Sequence, residues 1–314
     1  MTDAIDAFFG STGADDGIRR SGFVAVAGRP NAGKSTLVNR IVGQHVAIVS
    51  PIAQTTRRIV RAVARRDDAQ LVFVDLPGSQ RPMDRMTERM QQAVEQSFRD
   101  VDLVLWVIDA ADGIGRGEAR VADMVLASRR PVVIALNKVD LTKRELIAER
   151  IVAVTELLAG REYAALVPIS ALTGDGVNAL LDELIERLPE GPAWFGDEDV
   201  VDMRDEERIA EYVREATLAH LREELPHASA VTVDDMRDAD DGSGRVEVDC
   251  TIWVERESQV GIVVGKGGAQ IKDIGTAARA VIERELGFGT HLSLRVKVRK
   301  HWRDDAAWLA RAGL

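Results

Sequence analysis

The chain has 314 residues, 46% of them hydrophobic, which is enough apolar material for a sizeable core and a length that suggests two domains. Its single cysteine, Cys250, excludes a disulfide framework and a cysteine metal cluster, and no stretch reaches the roughly eighteen uncharged apolar residues of a membrane span, so a cytoplasmic protein is expected. The net charge of −10 does not exclude a nucleic-acid partner, because residues 191–255 hold 19 acids against 6 arginines, whereas residues 256–303 hold 10 bases against 4 acids.

Residues 1–16 are acidic, glycine-containing and aperiodic, and read as part of a disordered lead extending to residue 20. Residues 23–27 form an apolar strand candidate, and residues 37–42 have helical apolar spacing. Between them runs Gly28-Arg29-Pro30-Asn31-Ala32-Gly33-Lys34-Ser35-Thr36, which matches G-x-x-x-x-G-K-[ST]. A glycine-rich turn delivered onto a helix N-terminus aims several backbone N–H groups at one spot, where the helix dipole adds positive potential and a phosphate is favoured. Lys34 is positioned to reach the β- and γ-phosphates of a nucleotide, and the Ser35 hydroxyl to ligate Mg²⁺. Asn31 offers an oxygen for a potassium ion beside the phosphates.

Residues 43–58 are polar and aperiodic, a long loop that must supply a threonine to sense the γ-phosphate through Mg²⁺. Thr56 is assigned that role, with Thr55 as the alternative. Residues 59–65 and 71–74 read as strands joined by a polar turn, and the second ends in Asp75-Leu76-Pro77-Gly78. There Asp75 meets Mg²⁺ through water, and the Gly78 N–H approaches the γ-phosphate. Ras-like proteins follow this motif with a water-orienting glutamine, but here Ser79 stands in that place, so slow intrinsic hydrolysis is expected.

Met83, Met86, Met90 and Val94 have helical spacing and predict a core-facing stripe. The apolar runs 103–108, 132–136 and 166–169 fit strands buried on both faces, and helical patterns fall at 118–128, 144–158 and 177–188. The first domain, residues 21–190, is therefore expected to be α/β with a mainly parallel six-stranded sheet. Two further motifs follow strands. In Asn137-Lys138-Val139-Asp140 the Asp140 carboxylate can accept the N1 and N2 protons of guanine, which adenine cannot match, while Lys138 lays its stem over the base. Ser170-Ala171-Leu172 can present backbone N–H to the guanine O6. The order and spacing of the four motifs match translation-factor-like GTPases, which bind GTP and GDP.

Prolines 189 and 192 end the alternation, and the acidic residues 191–207 read as a linker. The second domain, residues 208–314, is expected to be α+β. It has an amphipathic helix over 209–225, a hairpin of strands 231–233 and 246–252, a helix over 272–285 and a strand over 292–298. Within it, Gly265-Lys266-Gly267-Gly268 is a G-x-x-G loop of the KH kind, where a nucleic-acid backbone approaches closely. Gly265, Gly267 and Gly268 leave room for that backbone, Lys266 and Lys272 add charge toward phosphate, and bases are expected beside Ile262 and Ile271.

These residues, with Ala53-Gln54-Thr55-Thr56-Arg57, Glu224-Leu225-Pro226-His227 and the tail Lys297-Val298-Arg299-Lys300-His301-Trp302, closely resemble the Era family of bacterial ribosome-assembly GTPases over nearly the whole chain. The resemblance implies a P-loop GTPase domain followed by a type II KH domain. It also implies binding of the 3′ end of small-subunit ribosomal RNA during 30S maturation and peripheral association with the cell membrane; a monomer is expected. The chain departs from the family at Leu76, where threonine is commoner, and at Ser79-Gln80-Arg81-Pro82.

Overall fold

The computed structural model describes residues 17–50, 56–77, 83–221, 225–239, 242 and 244–314. The chain divides into two compact units, the first comprising Met1–Gln44, Ile59–Ser79 and Ala93–Asp202, the second His45–Arg58, Gln80–Gln92 and Met203–Leu314.

The first unit is built on β1 (Arg20–Ala27), β2 (Val60–Arg66), β3 (Ala69–Asp75), β4 (Leu103–Asp109), β5 (Val132–Asn137) and β6 (Ala165–Pro168). They form one sheet in the order β2-β3-β1-β4-β5-β6, parallel except for the β2–β3 hairpin, so the expected six-stranded sheet is present. Helices α1 (Lys34–Val42), α2 (Arg85–Asp100) from Ala93 onward, α3 (Arg116–Ala127), α4 (Arg144–Leu158) and α5 (Val177–Glu186) accompany it. Strand β5 is buried along its whole length and β4 along all but its last residue, which is why both read as apolar runs rather than as alternation, whereas β6, at the sheet edge, is only partly buried, contrary to the expectation for 166–169. Trp106, Ile108, Ile134 and Leu136 join Val121 and Val125 of α3 and Val154 of α4 in one core.

Two expectations are corrected here. Arg20, assigned to the lead, is the first residue of β1 and pairs with Ala69, and the Arg19 N–H before it donates to the Asp68 carbonyl; residues 1–16 of that expectation lie outside the described residues. Residues 191–202, assigned to a linker, dock on the first unit. The Gln70 carboxamide accepts from the Trp194 and Phe195 N–H groups, Arg65 donates to the Phe195 and Gly196 carbonyls, and Val201 bridges Ala62 of the sheet edge. The exposed edge of β2 offers unpaired backbone groups, and this segment covers them.

In the second unit, α6 (Asp205–His220) and the short α7 (Leu225–Ala228) precede β7 (Ala230–Asp238), β8 (Val246–Val254), α8 (Glu257–Val264), α9 (Ala269–Leu286) and β9 (Thr290–Val298), and α10 (Ala306–Arg311) ends the chain. The three strands form a sheet in which β8 pairs antiparallel with β7 and parallel with β9. The β7–β8 hairpin is longer than expected because a bulge between Val233 and Asp235 absorbs a register shift in the acidic stretch. Helix α6 starts and stops earlier than its apolar spacing suggests, with Arg204 and Glu207 capping its start and Leu221 already extended. Met86 and Met90 are buried with Trp302, Trp308 and Leu309, and Val94 lies in the core of the first unit, whereas Met83 is exposed and does not belong to the expected stripe.

Candidate nucleotide site and nucleic-acid groove

In the first unit, the carboxyl ends of β1, β3 and β5 and the turn after β6 carry the four motifs, the end of a parallel sheet where ligands bind. The loop from Gly28 to Gly33 wraps onto α1, whose N-cap Gly33 has no side-chain cap and a φ of 95°. A β-carbon there would lie 2.3 Å from Asn137 Nδ2, so only glycine lets the loop pass this close. The Lys34 ammonium, nearly buried, donates to the Gly28 and Arg29 carbonyls at 3.1 Å each. Burial pulls its pKa down from the ordinary lysine range, opposed by Asp75 and Glu118. Ser35 Oγ donates to Asp75 Oδ2 at 2.9 Å, which brings these two expected Mg²⁺ contacts together. Their oxygen chemistry suits a hard cation. Leu76 and Pro77 continue from β3 as buried residues, while Gly78 and the alternative Thr55 lie outside the described residues. Thr56 falls in the other unit from Ser35 and Asp75, in the segment where the Arg57 guanidinium donates to the Ser229 carbonyl at 2.6 Å and stacks over Trp302.

The base side of the site is held by Asn137, which is buried. Its Nδ2 donates to the Ala32 carbonyl at 2.8 Å and its Oδ1 accepts from the Ala171 N–H at 2.8 Å, tying three motifs together. Lys138, in left-handed conformation, pairs with Asp109 Oδ2 at 2.6 Å. The Asp140 carboxylate sits exposed in a single 3-10 turn, Val139–Leu141, and forms no ion pair among the described residues. The expectation for Ser170-Ala171-Leu172 needs refinement. The Ser170 N–H goes to the Asp175 carbonyl and the Ala171 N–H to Asn137, so the N–H left for a base is that of Leu172. Pro30 and Asn31 form the rim of the phosphate loop, with Asn31 exposed at a φ of 64°, and Thr36 lies in the first turn of α1.

Three neighbouring features carry no signal in the sequence, the first of them the acidic pair Asp112 and Glu118. Arg29 pairs with Asp112 at 2.9 Å and with the buried Glu118 at 3.7 Å. Burial pushes the Glu118 carboxyl up to about 7, with Arg29 opposing, whereas the Gly113 N–H and Arg29 hold the Asp112 carboxyl below its usual range. Asp109, which anchors Lys138, is simply the last residue of β4. The third, Arg40, reaches from α1 to the loop after β6.

In the second unit the G-x-x-G loop joins α8 to α9. Gly265 has a φ of 73°, and a β-carbon on it would lie 2.6 Å from that of Gln270, so a side chain there is excluded. Lys266, Gly267 and Lys272 are exposed and Gly268 caps α9. A groove of about 420 Å³ runs beside the loop, lined by Ile271, Lys272, Gly275, Thr276 and Arg279 of α9 and by Leu292 and Leu294 of β9. Ile271 is thus where the sequence put it, but Ile262 projects into solvent from α8 and is not part of this lining. Residues 271, 275 and 279 share one helix face, and that four-residue spacing was the available clue to the wall.

Known proteins resemble both units of this chain. A profile described as 50S ribosome-binding GTPase matches residues 23–138, and a KH domain profile matches residues 224–303. The chain is 42% identical to GTPase Era of Mycobacterium avium (strain 104) over 94% of its own length and 98% of the relative's. It is 41% identical to GTPase Era of Mycobacterium tuberculosis (strain ATCC 25177 / H37Ra) over 93% and 98%. A crystal structure of Era in complex with MgGDPNP and nucleotides 1506–1542 of 16S ribosomal RNA superposes with a TM-score of 0.90 at 32% identity, covering 94% of this chain and 99% of that one. A point variant of Aquifex aeolicus Era bound to GDP·AlF4⁻ gives 0.89 at 33% identity, over 94% and 99%. With motif order, topology and full-length similarity in agreement, this chain belongs to the Era family of GTPases.

Proposed function

We propose that this chain is a slow GTP-hydrolysing switch that binds small-subunit ribosomal RNA near its 3′ end and assists 30S subunit maturation. The observation that carries the reading is the presence, on one chain, of a Ser35–Asp75 pair under a phosphate loop and of a G-x-x-G loop beside an apolar, basic-rimmed groove. A relative similar over the full length has been solved with MgGDPNP and 16S ribosomal RNA together, which favours the small subunit over the large one named in the GTPase profile.

In this reading residues 28–36 bind the phosphates, Asp140 and the Leu172 N–H select guanine, and Lys34 neutralises charge on the β- and γ-oxygens as water attacks the γ-phosphorus and the bond to the bridging oxygen breaks. Ser35, Asp75 through water, and Thr56 would hold Mg²⁺, which when bound neutralises phosphate charge. The Gly78 N–H approaches the γ-phosphate. With Ser79 in place of a water-orienting glutamine, hydrolysis depends on a partner or on an ion: a potassium ion held at Asn31 would substitute for an arginine finger's charge, and potassium-independent turnover would remove that role. The domain limits proposed are 21–190 for the GTPase and 208–314 for the KH domain. On the RNA side Gly265, Gly267 and Gly268 admit the backbone, Lys266 and Lys272 contact phosphate, and bases stack in the groove at Ile271, with Ile262 flanking the loop. The protein acts as a monomer. Among the described residues no helix is long and apolar enough to cross a membrane, so membrane association in this reading is peripheral.

Single-turnover GTP hydrolysis tests the coupling. RNA spanning nucleotides 1506–1542 of 16S ribosomal RNA should accelerate the wild type and fail to accelerate a Lys266→Asp, Gly267→Asp variant. Equal rates with and without RNA would contradict it.

A further inference from the structure

Arg40 lies in the last turn of α1, the helix whose first residues carry Lys34 and Ser35. Its Nε donates to the Ala171 carbonyl at 3.1 Å and its Nη2 to the Leu172 carbonyl, so one guanidinium grips two successive carbonyls of the loop after β6. The peptide linking Ala171 to Leu172 is trans, and in a planar trans peptide the carbonyl and the following N–H point in opposite directions. Holding the Ala171 oxygen toward Arg40 therefore aims the Leu172 N–H away from it. The other N–H groups of this loop are spoken for: Ser170 donates to Asp175, Ala171 to Asn137 Oδ1 at 2.8 Å and Thr173 to Ser170 Oγ at 3.0 Å. Among the described residues the Leu172 N–H forms no hydrogen bond.

We propose that Arg40 is a positioning residue for guanine selectivity, which acts by fixing the Ala171–Leu172 peptide so that the Leu172 N–H meets the guanine O6. The inference rests on the guanine-site reading given above. Arg40 thereby ties the loop after β6 to the same helix whose Lys34 holds the phosphate loop. A lysine at this position has rotatable donors and lacks the planar fork that fixes the directions of its N–H groups, so it would hold this peptide less rigidly than the guanidinium does. The side chain is solvent-exposed, which keeps the fork's contribution small.

The test measures dissociation constants of GDP and 6-thio-GDP for wild type, Arg40→Ala and Arg40→Lys in the full chain. The thio analogue keeps the N1 and N2 protons that Asp140 accepts and replaces only the O6 acceptor by a weaker one. Wild type should prefer GDP; Arg40→Ala should weaken GDP about fivefold and 6-thio-GDP less than about twofold, with Arg40→Lys in between. Equal losses for the two nucleotides, or no loss, would overturn the role of Arg40 while leaving the site reading standing. Equal binding of GDP and 6-thio-GDP by the wild type would overturn the O6 contact itself and the inference with it. If Arg40→Ala does not fold, Arg40→Lys decides by the same ratio.

Discussion

Replacing Glu118 by glutamine isolates the electrostatic cost of the carboxyl that lies under Arg29 of the phosphate loop. Burial holds this group at about 7, against 4.5 for an ordinary glutamate. At about 1.4 kcal/mol per pH unit the gap corresponds to about 3 kcal/mol between fully protonated and fully ionised limits. From pH 4.5 to 7 the folded chain keeps a proton that the unfolded chain has lost, so stability falls as pH rises through this window and levels above 7. Glutamine has no proton to lose. The stability of Glu118→Gln minus that of wild type should therefore climb by about 2–3 kcal/mol between pH 5 and 8, whatever constant offset the replacement introduces. Peptide-resolved hydrogen exchange, corrected for the intrinsic pH dependence of amide exchange, reads the opening of β4 and α3 without interference from the second unit. Curves for the two proteins that stay parallel within about 0.5 kcal/mol would refute the reasoning.

Other expectations follow from single contacts. Lys34→Ala should weaken GTP at least about a hundredfold, measured by calorimetry, and leave RNA binding by nucleotide-free protein unchanged. Asp140→Asn should move preference from guanine toward xanthine nucleotides, whose 2-oxo group accepts where guanine donates; competition with XTP reads the change. Arg57→Met removes the 2.6 Å bond to the Ser229 carbonyl and the stacking over Trp302, and urea denaturation followed by tryptophan fluorescence should show the second unit destabilised by about 2–4 kcal/mol.

Motifs confined to a strand end and the following turn were legible in the sequence, because their chemistry is local: the loop at Gly33-Lys34-Ser35, Asp75, and Asn137 through Asp140 all lie where strand and loop patterns put them. What escaped was contributed by distant partners. Arg40 and Glu118 sit in ordinary helical patterns, and only the fold brings them to Ala171 and Arg29. The acidic composition of residues 191–202 suggested solvent, yet their backbone groups satisfy the edge of β2 and its arginines. Ile262 looked like a groove residue from its place before the glycine loop, but the rotation of α8 that buries Val263 leaves its neighbour outside. Composition likewise gave no hint that residues 45–50 and 56–58 belong with the C-terminal unit, where Tyr212 donates to the His45 carbonyl and Glu285 accepts from the His45 N–H.

The central claim is that nucleotide state and RNA binding are coupled in one chain. Crosslinking of full-length protein to RNA carrying nucleotides 1506–1542 of 16S ribosomal RNA, loaded with a non-hydrolysable GTP analogue or with GDP, tests it most directly. Crosslinks at Lys266 and Lys272 should be strong with the GTP analogue, weak with GDP and lost in the Lys266→Asp, Gly267→Asp variant. Crosslinks indifferent to the nucleotide, or unaffected by that variant, would contradict it.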